Sequence, residues 1–180
     1  MSRTVKALFI LALMCLSAYY LAVLYLARHP DVSYAYRMYY LEMKTRYWNR
    51  NQTLAYVPGY QFDMVNDRAW ILSRQGWTLP KDDGTGTEFT GDGGLYFTLH
   101  RVPQRLRLVA EVRNTRADNQ LTLRIGDWQQ QVTLNVKGPQ RLIVPLPAHL
   151  LVADPLEANY IALKSQAPIR FQTMMIDNGE

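Results

Sequence analysis

Hydrophobic and polar positions follow two different periods along this chain, and the change of period separates its parts. No charged residue occurs from Ala7 to Ala27, a run of 21 residues. An α-helix of roughly 20 apolar residues crosses the hydrocarbon core of a bilayer, which is about 30 Å thick. The run therefore predicts a transmembrane helix within residues 1–28, preceded by a short tip that carries Arg3 and Lys6.

The length and composition of this run favour an uncleaved anchor. A cleavable signal peptide has an apolar core of about 7–15 residues that ends in a small-x-small site. Here the apolar run continues through Tyr19, Tyr20 and Tyr25. A lipoprotein signal needs a small residue directly before its cysteine, and the bulky Met14 precedes Cys15. We therefore favour the anchor over a signal peptide or a lipoprotein.

A second helical pattern follows the apolar run. Residues 33–50 contain no Gly or Pro, and they predict a juxtamembrane helix. Tyr36, Tyr40, Met43 and Tyr47 recur at i, i+4, i+7 and i+11, so they would form one apolar seam. Such a seam either lies at the lipid headgroups or contacts a membrane protein, and both alternatives remain open. The helix and its linker are assigned to residues 29–69.

From Leu95 onward the period changes to two. Leu95, Phe97 and Leu99 alternate with polar positions, as in a strand with one wet face. The same alternation recurs in residues 106–112, 121–125, 132–136, 142–144, 160–163 and 169–171. Turn signals separate these segments, and they are expected at residues 81–87, 91–94, 114–119, 126–127, 138–139, 154–155 and 167–168. The pattern predicts a mainly β fold, an antiparallel, jelly-roll-like β-sandwich over residues 70–180.

The charge pattern argues against nucleic acid as a partner. The chain has a net charge of +5, and residues 51–180 carry equal numbers of basic and acidic residues, 13 each. The whole excess therefore lies in and beside the apolar run, where basic residues meet anionic headgroups. The positive-inside rule alone would place the side that carries Arg28 and Arg37 in the cytoplasm. The signal-anchor start and the export-type domain favour the opposite orientation, with residues 28–180 outside the cytoplasm.

Catalytic and metal-binding motifs do not emerge from the sequence. The three histidines, His29, His100 and His149, are far apart, and the single cysteine lies in the apolar run. No zinc-type spacing, nucleophile elbow or phosphate loop is present in the sequence. We therefore expect a non-enzymatic protein with no catalytic residue, no metal ligand and no cofactor.

The order of landmarks in the last 110 residues or so resembles a known group of domains. The landmarks are Gly76-Trp77, Pro80, Asp83-Gly84, residues 95–99, 106–108, 121–126 and 142–146. They are similar to galactose-binding-like, carbohydrate-binding-module-type β-sandwiches attached to bacterial envelope glycan transferases. The resemblance covers about residues 70–177. It implies a sandwich fold and a role in glycan binding, although many such domains are only structural.

Aromatic residues with neighbouring amides are the candidates for glycan binding. Trp128 follows the hairpin signal Gly126-Asp127 and precedes three glutamines, whose amides both donate and accept hydrogen bonds. The full candidate set is Trp128, Gln129, Gln131, Tyr96, His100 and Trp77. Trp77 has core packing as its alternative role, and Tyr96 and His100 are expected to share the polar face of one strand.

These observations lead to two hypotheses of function. In the first, the chain is a membrane-anchored, non-catalytic accessory subunit of an envelope polysaccharide system, and its exported β-sandwich binds or guides glycan. Its partners would be the lipid bilayer, a membrane-embedded glycan transferase or related envelope protein, and polysaccharide. It would be a single-pass protein of the cell inner membrane, with a periplasmic or extracytoplasmic domain. In the alternative, it is an assembly or scaffold protein that docks a membrane partner and binds no sugar.

Overall fold

The computed structural model describes residues 2–78, 84–135 and 137–179. Contacts divide the chain into two compact units, Met1–Ser33 and Tyr34–Glu180. Residues 34–60, which precede the first strand, belong to the same unit as the strands. The finer division at residues 28/29 and 69/70 stays a prediction.

The first unit is one long helix, α1 (Arg3–Arg28). Its N-terminus is capped by Ser2, whose hydroxyl accepts the Val5 N–H at 3.4 Å. At the other end the His29 N–H donates to the Tyr25 carbonyl at 2.9 Å. With 26 residues, α1 is about 39 Å long, and it is long and apolar enough to cross a bilayer.

The second unit is mainly β, as predicted. It opens with a short helix, α2 (Tyr34–Tyr36), which continues into a π-helical turn, Arg37–Leu41. Its strands are β1 (Gln61–Asp63), β2 (Thr87–Phe97), β3 (Leu106–Asn114), β4 (Asn119–Ile125), β5 (Trp128–Leu134), β6 (Gly138–Leu146) and β7 (Asn159–Asp177). A single 3₁₀ turn, Ala148–Leu150, lies between β6 and β7. All strand pairs are antiparallel.

Strand β7 is the central strand of the sheet. One of its edges pairs with β2 and then with β1, and the other pairs with β4 and then with β3. Strands β4 and β5 form a hairpin, and β6 pairs with the other edge of β3. One half of the sheet is therefore β2-β7-β4-β5 and the other half is β1-β7-β3-β6.

The sheet curls so that the apolar faces of its two halves share one core. Leu108 and Val112 of β3 belong to the same buried cluster as Leu123 of β4 and Phe171 of β7. Alternate residues on these strands point outward and are exposed or half-buried. The predicted sandwich-like arrangement is confirmed as a curled antiparallel sheet, and its outward faces are available for contacts.

The predicted turn at Ala167-Pro168 is wrong, because β7 continues through it. The pairing with β4 ends at Ser165, and the pairing with β3 starts at Ile169. Proline has no N–H to give to a ladder. Pro168 is tolerated inside the strand because it lies where β7 changes from one neighbour to the next.

The predicted loop at residues 91–94 is also wrong, since these residues lie inside β2. A Cβ on Gly94 would lie 2.3 Å from the Ile161 carbonyl oxygen, and one on Gly93 would lie 2.4 Å from the Gln75 carbonyl oxygen. These glycines permit a close approach of backbones rather than a turn. The other predicted loop covers residues 81–87. Residues 81–83 of it lie outside the described residues, and its last residue, Thr87, begins β2.

The predicted helix over residues 33–50 stops at Leu41. The Glu42 N–H closes the last turn on the Arg37 carbonyl at 2.8 Å, and Met43 then has a φ of +50°. Beyond this point the chain adds to the sheet, because the Arg46 N–H donates to the Leu72 carbonyl at 2.8 Å. Sheet hydrogen bonds thus replace the expected helical ones.

The four residues of the predicted seam therefore do not form one apolar stripe. Tyr40 and Met43 are exposed, whereas Tyr47 packs against the core of the sheet. The helical spacing fails because the helix ends at Leu41 and Thr45 forms an isolated bridge with Ser73.

A buried amide network holds the place where β7 changes its neighbours. The Asn119 side-chain N–H₂ donates to Asn114 Oδ1 at 3.2 Å and to the Ala167 carbonyl at 3.1 Å. Its Oδ1 accepts the Ala167 N–H at 3.3 Å. Asn119 is only 3% exposed, so these bonds are shielded from water. The network ties the start of β4 to the irregular part of β7.

We predict that Asn119→Ala destabilises the β unit by about 2–3 kcal/mol, because it removes the acceptor of the buried Ala167 N–H and a donor to the buried Asn114 Oδ1. For a unit of this size, the melting temperature should fall by roughly 4–10 °C. Thermal melting of the full chain in detergent, followed by near-UV circular dichroism, measures the shift. Gln120→Ala, at the next and exposed position of β4, is the matched control and should change little. Equal shifts for the two variants would contradict the role of the network.

Candidate functional site

The outer face of the β2-β7-β4-β5 half carries a polar surface. The register places its outward residues in rows across the four strands. The central row is Gly94, Ala162, Arg124 and Gln129. The row on one side is Asp92, Lys164, Thr122 and Gln131, and on the other side Tyr96 lies opposite Tyr160. Because Ala162 is small, the face is low at this point of β7.

Two short segments extend the sheet beyond β2 and form a wall. The Ser73 N–H donates to the Gly94 carbonyl at 2.9 Å, and the Tyr96 N–H donates to the Ile71 carbonyl at 2.7 Å. The Arg74 N–H in turn donates to the Lys44 carbonyl at 2.8 Å. The wall and the low face enclose a groove of about 550 Å³. The side chains that line it include Glu42, Lys44, Arg74, Asp92, Tyr96, Thr122, Arg124, Gln129, Tyr160 and Lys164.

A pair of tyrosine rings lies in the groove. The rings of Tyr96 and Tyr160 are stacked, with centroids 4.3 Å apart and planes at 21°. The Tyr160 hydroxyl donates to the Gly93 carbonyl at 3.0 Å. A Cβ on Gly94 would lie 2.6 Å from Tyr160 Cε2, so the ring occupies the space that a side chain at Gly94 would need. Burial raises the pKa of both phenols above the ordinary value, so both hydroxyls keep their protons at neutral pH.

The groove carries more positive than negative side chains. Lys44 and Glu42 form an ion pair at 2.6 Å, and the hydrogen bond to Glu42 raises the pKa of Lys44. Lys164 Nζ lies 3.2 Å from Asp92 Oδ1. Both carboxylates are thus paired with lysines, and two guanidinium groups, those of Arg74 and Arg124, add an excess of two positive charges.

The structure brings two of the six predicted glycan residues into the groove, Tyr96 and Gln129. Gln131 is exposed on the same face, and its amide donates to Gln120 Oε1 at 2.6 Å. Trp128 was our first candidate, but it is half-buried and packs against the core. It lies on the opposite phase of β5 from Gln129, because the strand already starts at Trp128.

Trp77 and His100 lie elsewhere. Trp77 is buried, its indole Nε1–H donates to the Gly94 carbonyl at 3.1 Å, and its ring packs against Phe89. This is the core role given above as its alternative. His100 lies beside a separate cavity of about 220 Å³. The expectation that Tyr96 and His100 share one face is wrong, because β2 ends at Phe97 and its alternation ends with it.

Most of the groove was not found from the sequence. Arg124 and Tyr160 lie at outward positions of predicted strands, so their polar phase was a usable signal. Their nearness to Tyr96 depends on β4 and β2 both pairing with β7, which is a matter of strand order. Arg74 gave no signal, because its segment has no periodic pattern.

An aromatic patch surrounds the end of the π-helical turn. We define it as Tyr36, Tyr40, Leu41, Met43 and Trp48. Its rings are in contact, since the Tyr36 and Tyr40 centroids are 4.6 Å apart and those of Tyr40 and Trp48 are 5.0 Å apart. Tyr40, Leu41 and Met43 are each about half exposed, with exposed fractions of 48%, 51% and 57%. Three of the four predicted partner-binding residues belong to this patch, and Tyr47 does not.

No protein-family model and no curated protein sequence matches this chain. Solved structures with similar architecture include "BiXyn10A CBM1 APO", at 15% identity and a TM-score of 0.45, covering 67% of this chain and 97% of that one. A ruminal GH26 endo-beta-1,4-mannanase follows at 11% identity and a TM-score of 0.43, covering 70% of this chain and 27% of that one.

A third similar structure is BtGH115A, a 4-O-methyl-alpha-glucuronidase of family GH115 with specificity for decorated arabinogalactans. Its identity is 10% and its TM-score is 0.40, and the match covers 67% of this chain and 18% of that one. The expected likeness to carbohydrate-binding-module-type domains and the link to glycan transferases stay predictions. Similarity at this level does not identify a ligand, so function has to be argued from the groove.

Proposed function

We propose that the chain is a membrane-anchored, non-catalytic accessory protein of an envelope glycan system, and that its β unit binds saccharide in the groove. The observation that carries the proposal is the stacked pair of Tyr96 and Tyr160 beside polar side chains of three neighbouring strands. The groove combines apolar ring surface with hydrogen-bonding groups, which is the usual composition of a small-molecule site.

The chemistry of a sugar fits this combination. A pyranose ring presents apolar C–H groups on its faces, and these pack on the flat surface of an aromatic ring. Its hydroxyls need donors and acceptors at the edges, which the Gln129 amide, the Thr122 hydroxyl and the charged side chains supply. Tyr160 is 37% exposed, so part of its side chain is accessible to a ligand.

A binding role suits the groove better than a catalytic one. Both carboxylates that line it are paired with lysines, at 2.6 Å and 3.2 Å. The lysine ammonium groups occupy part of the hydrogen-bonding capacity of both carboxylates, which suits a fixed polar lining for saccharide hydroxyls.

We predict that Tyr160→Ala weakens oligosaccharide binding about tenfold or more, because it removes half of the stacking surface. Tyr160→Phe keeps the ring and should retain most of the affinity. The measurement is isothermal titration of the full chain in nanodiscs with a panel of neutral and acidic hexasaccharides. Sugar-based detergents are avoided because they would compete.

Tyr60→Ala is the control for this experiment, since Tyr60 is 51% exposed and does not line the groove. It should leave affinity unchanged. No binding of any saccharide to the folded chain, or equal losses in Tyr160→Ala and Tyr60→Ala, would refute the binding role.

The proposed location is the inner membrane, with residues 28–180 outside the cytoplasm. The support is α1, which is long and apolar enough to span, and the basic flank formed by Arg3 and Lys6 before it. We expect a periplasmic alkaline phosphatase fused after Gly179 to be active and green fluorescent protein at the same site to be dark. The reverse result would mean that the basic residues after α1 decide the orientation.

The aromatic patch favours the alternative function, docking of a membrane protein. Tyr40, Leu41 and Met43 form contiguous exposed apolar surface, which is typical of interaction sites. The docking hypothesis predicts that a photo-crosslinking amino acid at Tyr40 gives one discrete protein adduct in native membranes. The same probe at Ile143, which is 51% exposed on β6, should give none. Adducts with lipid alone at position 40 would instead place the patch against the bilayer.

A further inference from the structure

Two arginines in the groove have no acidic partner within the described residues. The ion pairs formed by the described residues near the groove are Lys44–Glu42 and Lys164–Asp92, and neither includes Arg74 or Arg124. Both guanidinium groups line the groove. Residues 51–180 as a whole, these two arginines included, carry equal numbers of basic and acidic residues.

Arg74 is held in place at the wall. Its Nη2 donates to the Tyr39 carbonyl at 3.3 Å, and its guanidinium carbon lies 5.5 Å from the centroid of the Tyr39 ring. Its backbone is fixed by the N–H bond to the Lys44 carbonyl. A guanidinium has five N–H donors, so one bond to Tyr39 leaves most of them for a ligand. An arginine that is already oriented loses little freedom when it binds.

Arg124 lies on the low face of the groove. In register it stands between Ala162 on β7 and Gln129 on β5. The small Ala162 leaves space beside its side chain, whereas the Tyr160 ring occupies the space above Gly94. An anionic group could therefore approach this guanidinium from the side of the tyrosine pair. Arg124 is also near enough to influence the Tyr160 phenol, and its charge lowers the Tyr160 pKa, against the dominant effect of burial.

On this basis, and resting on the proposed saccharide binding, we propose that the groove selects acidic saccharides whose sugars carry a carboxylate. The pyranose ring stacks on the Tyr96–Tyr160 pair, and the carboxylate accepts hydrogen bonds from Arg74 or Arg124. Guanidinium and carboxylate are planar and form two parallel N–H···O bonds, which gives both strength and orientation. A neutral sugar of the same shape would leave the two guanidinium groups unpaired.

The test compares ligands that differ only in charge. Hexamers of galacturonate, mannuronate and glucuronate are titrated into the full chain in nanodiscs of neutral lipid, each beside its fully methyl-esterified form. At least one acid should bind about tenfold or more tightly than its ester, because hydrogen bonds to charged groups are roughly twice as strong as neutral ones. The preference should weaken as salt is raised.

Variants that replace arginine by glutamine show which residues cause the preference for acid over ester. The double variant Arg74→Gln with Arg124→Gln should abolish the preference for acid over ester while retaining affinity for the ester. Arg141→Gln removes the same charge from an exposed position of β6, outside the groove, and should leave the preference intact. Tyr160→Ala should weaken acid and ester alike.

The outcomes separate the two proposals. Equal binding of acids and esters, or an equal loss of preference in Arg141→Gln, overturns the acidic selectivity and leaves saccharide binding standing. Absence of binding by every acid and ester overturns saccharide binding, and the selectivity falls with it. Acid preference that is lost only in the double groove variant supports both.

Discussion

The structure depends on the hydrogen bonding of one buried strand. Strand β7 has 19 residues, and its backbone groups need partners along both edges because water cannot reach them. None of the other strands among the described residues is long enough to cover either edge alone. Each edge is therefore shared, by β2 and β1 on one side and by β4 and β3 on the other. Sharing forces a curl, and the curl closes the two halves of the sheet over one core.

The groove follows from the same constraint. On one edge β2 brings Asp92 and Tyr96 beside β7, and on the other β4 brings Thr122 and Arg124. Residues from distant parts of the sequence thus meet on one outer face. The outer edge of β2 would itself be unpaired, and residues 71–74 cover it by backbone hydrogen bonds. The same segment forms the wall of the groove and carries Arg74. One segment therefore both protects the edge of β2 and forms part of the candidate site.

The sequence allowed the fold class and the strand positions to be predicted, because alternation is a local property. It placed Leu121, Leu123 and Ile125 inside and Arg124 outside, as observed. Errors arose where long-range pairing overrode local signals. Ala167-Pro168 has the composition of a turn, yet it lies within β7.

Residues 42–50 have helical spacing, but Lys44 and Arg46 form backbone hydrogen bonds with partners more than 25 residues away, at the edge of the sheet. The residues that line the groove were the hardest to predict, because the order of the strands decides which residues lie together. Tyr96 was found from its polar phase, and Gln129 from the three amides that follow Trp128. Trp128 was chosen because it follows a hairpin signal, but β5 already starts there and the ring packs against the core.

The seating of the Tyr160 ring over Gly94 has an entropic consequence. An exposed tyrosine on a sheet would sample several rotamers, and a ligand would have to select one of them. Here the stack with Tyr96, the hydroxyl bond to Gly93 and the space above Gly94 already confine the ring. Ordering a side chain upon binding costs about 0.5–1.5 kcal/mol, and this ring has been ordered during folding instead. Because Gly94 has no side chain, the Tyr160 ring can occupy this position, and a ligand meets a ring that is already ordered.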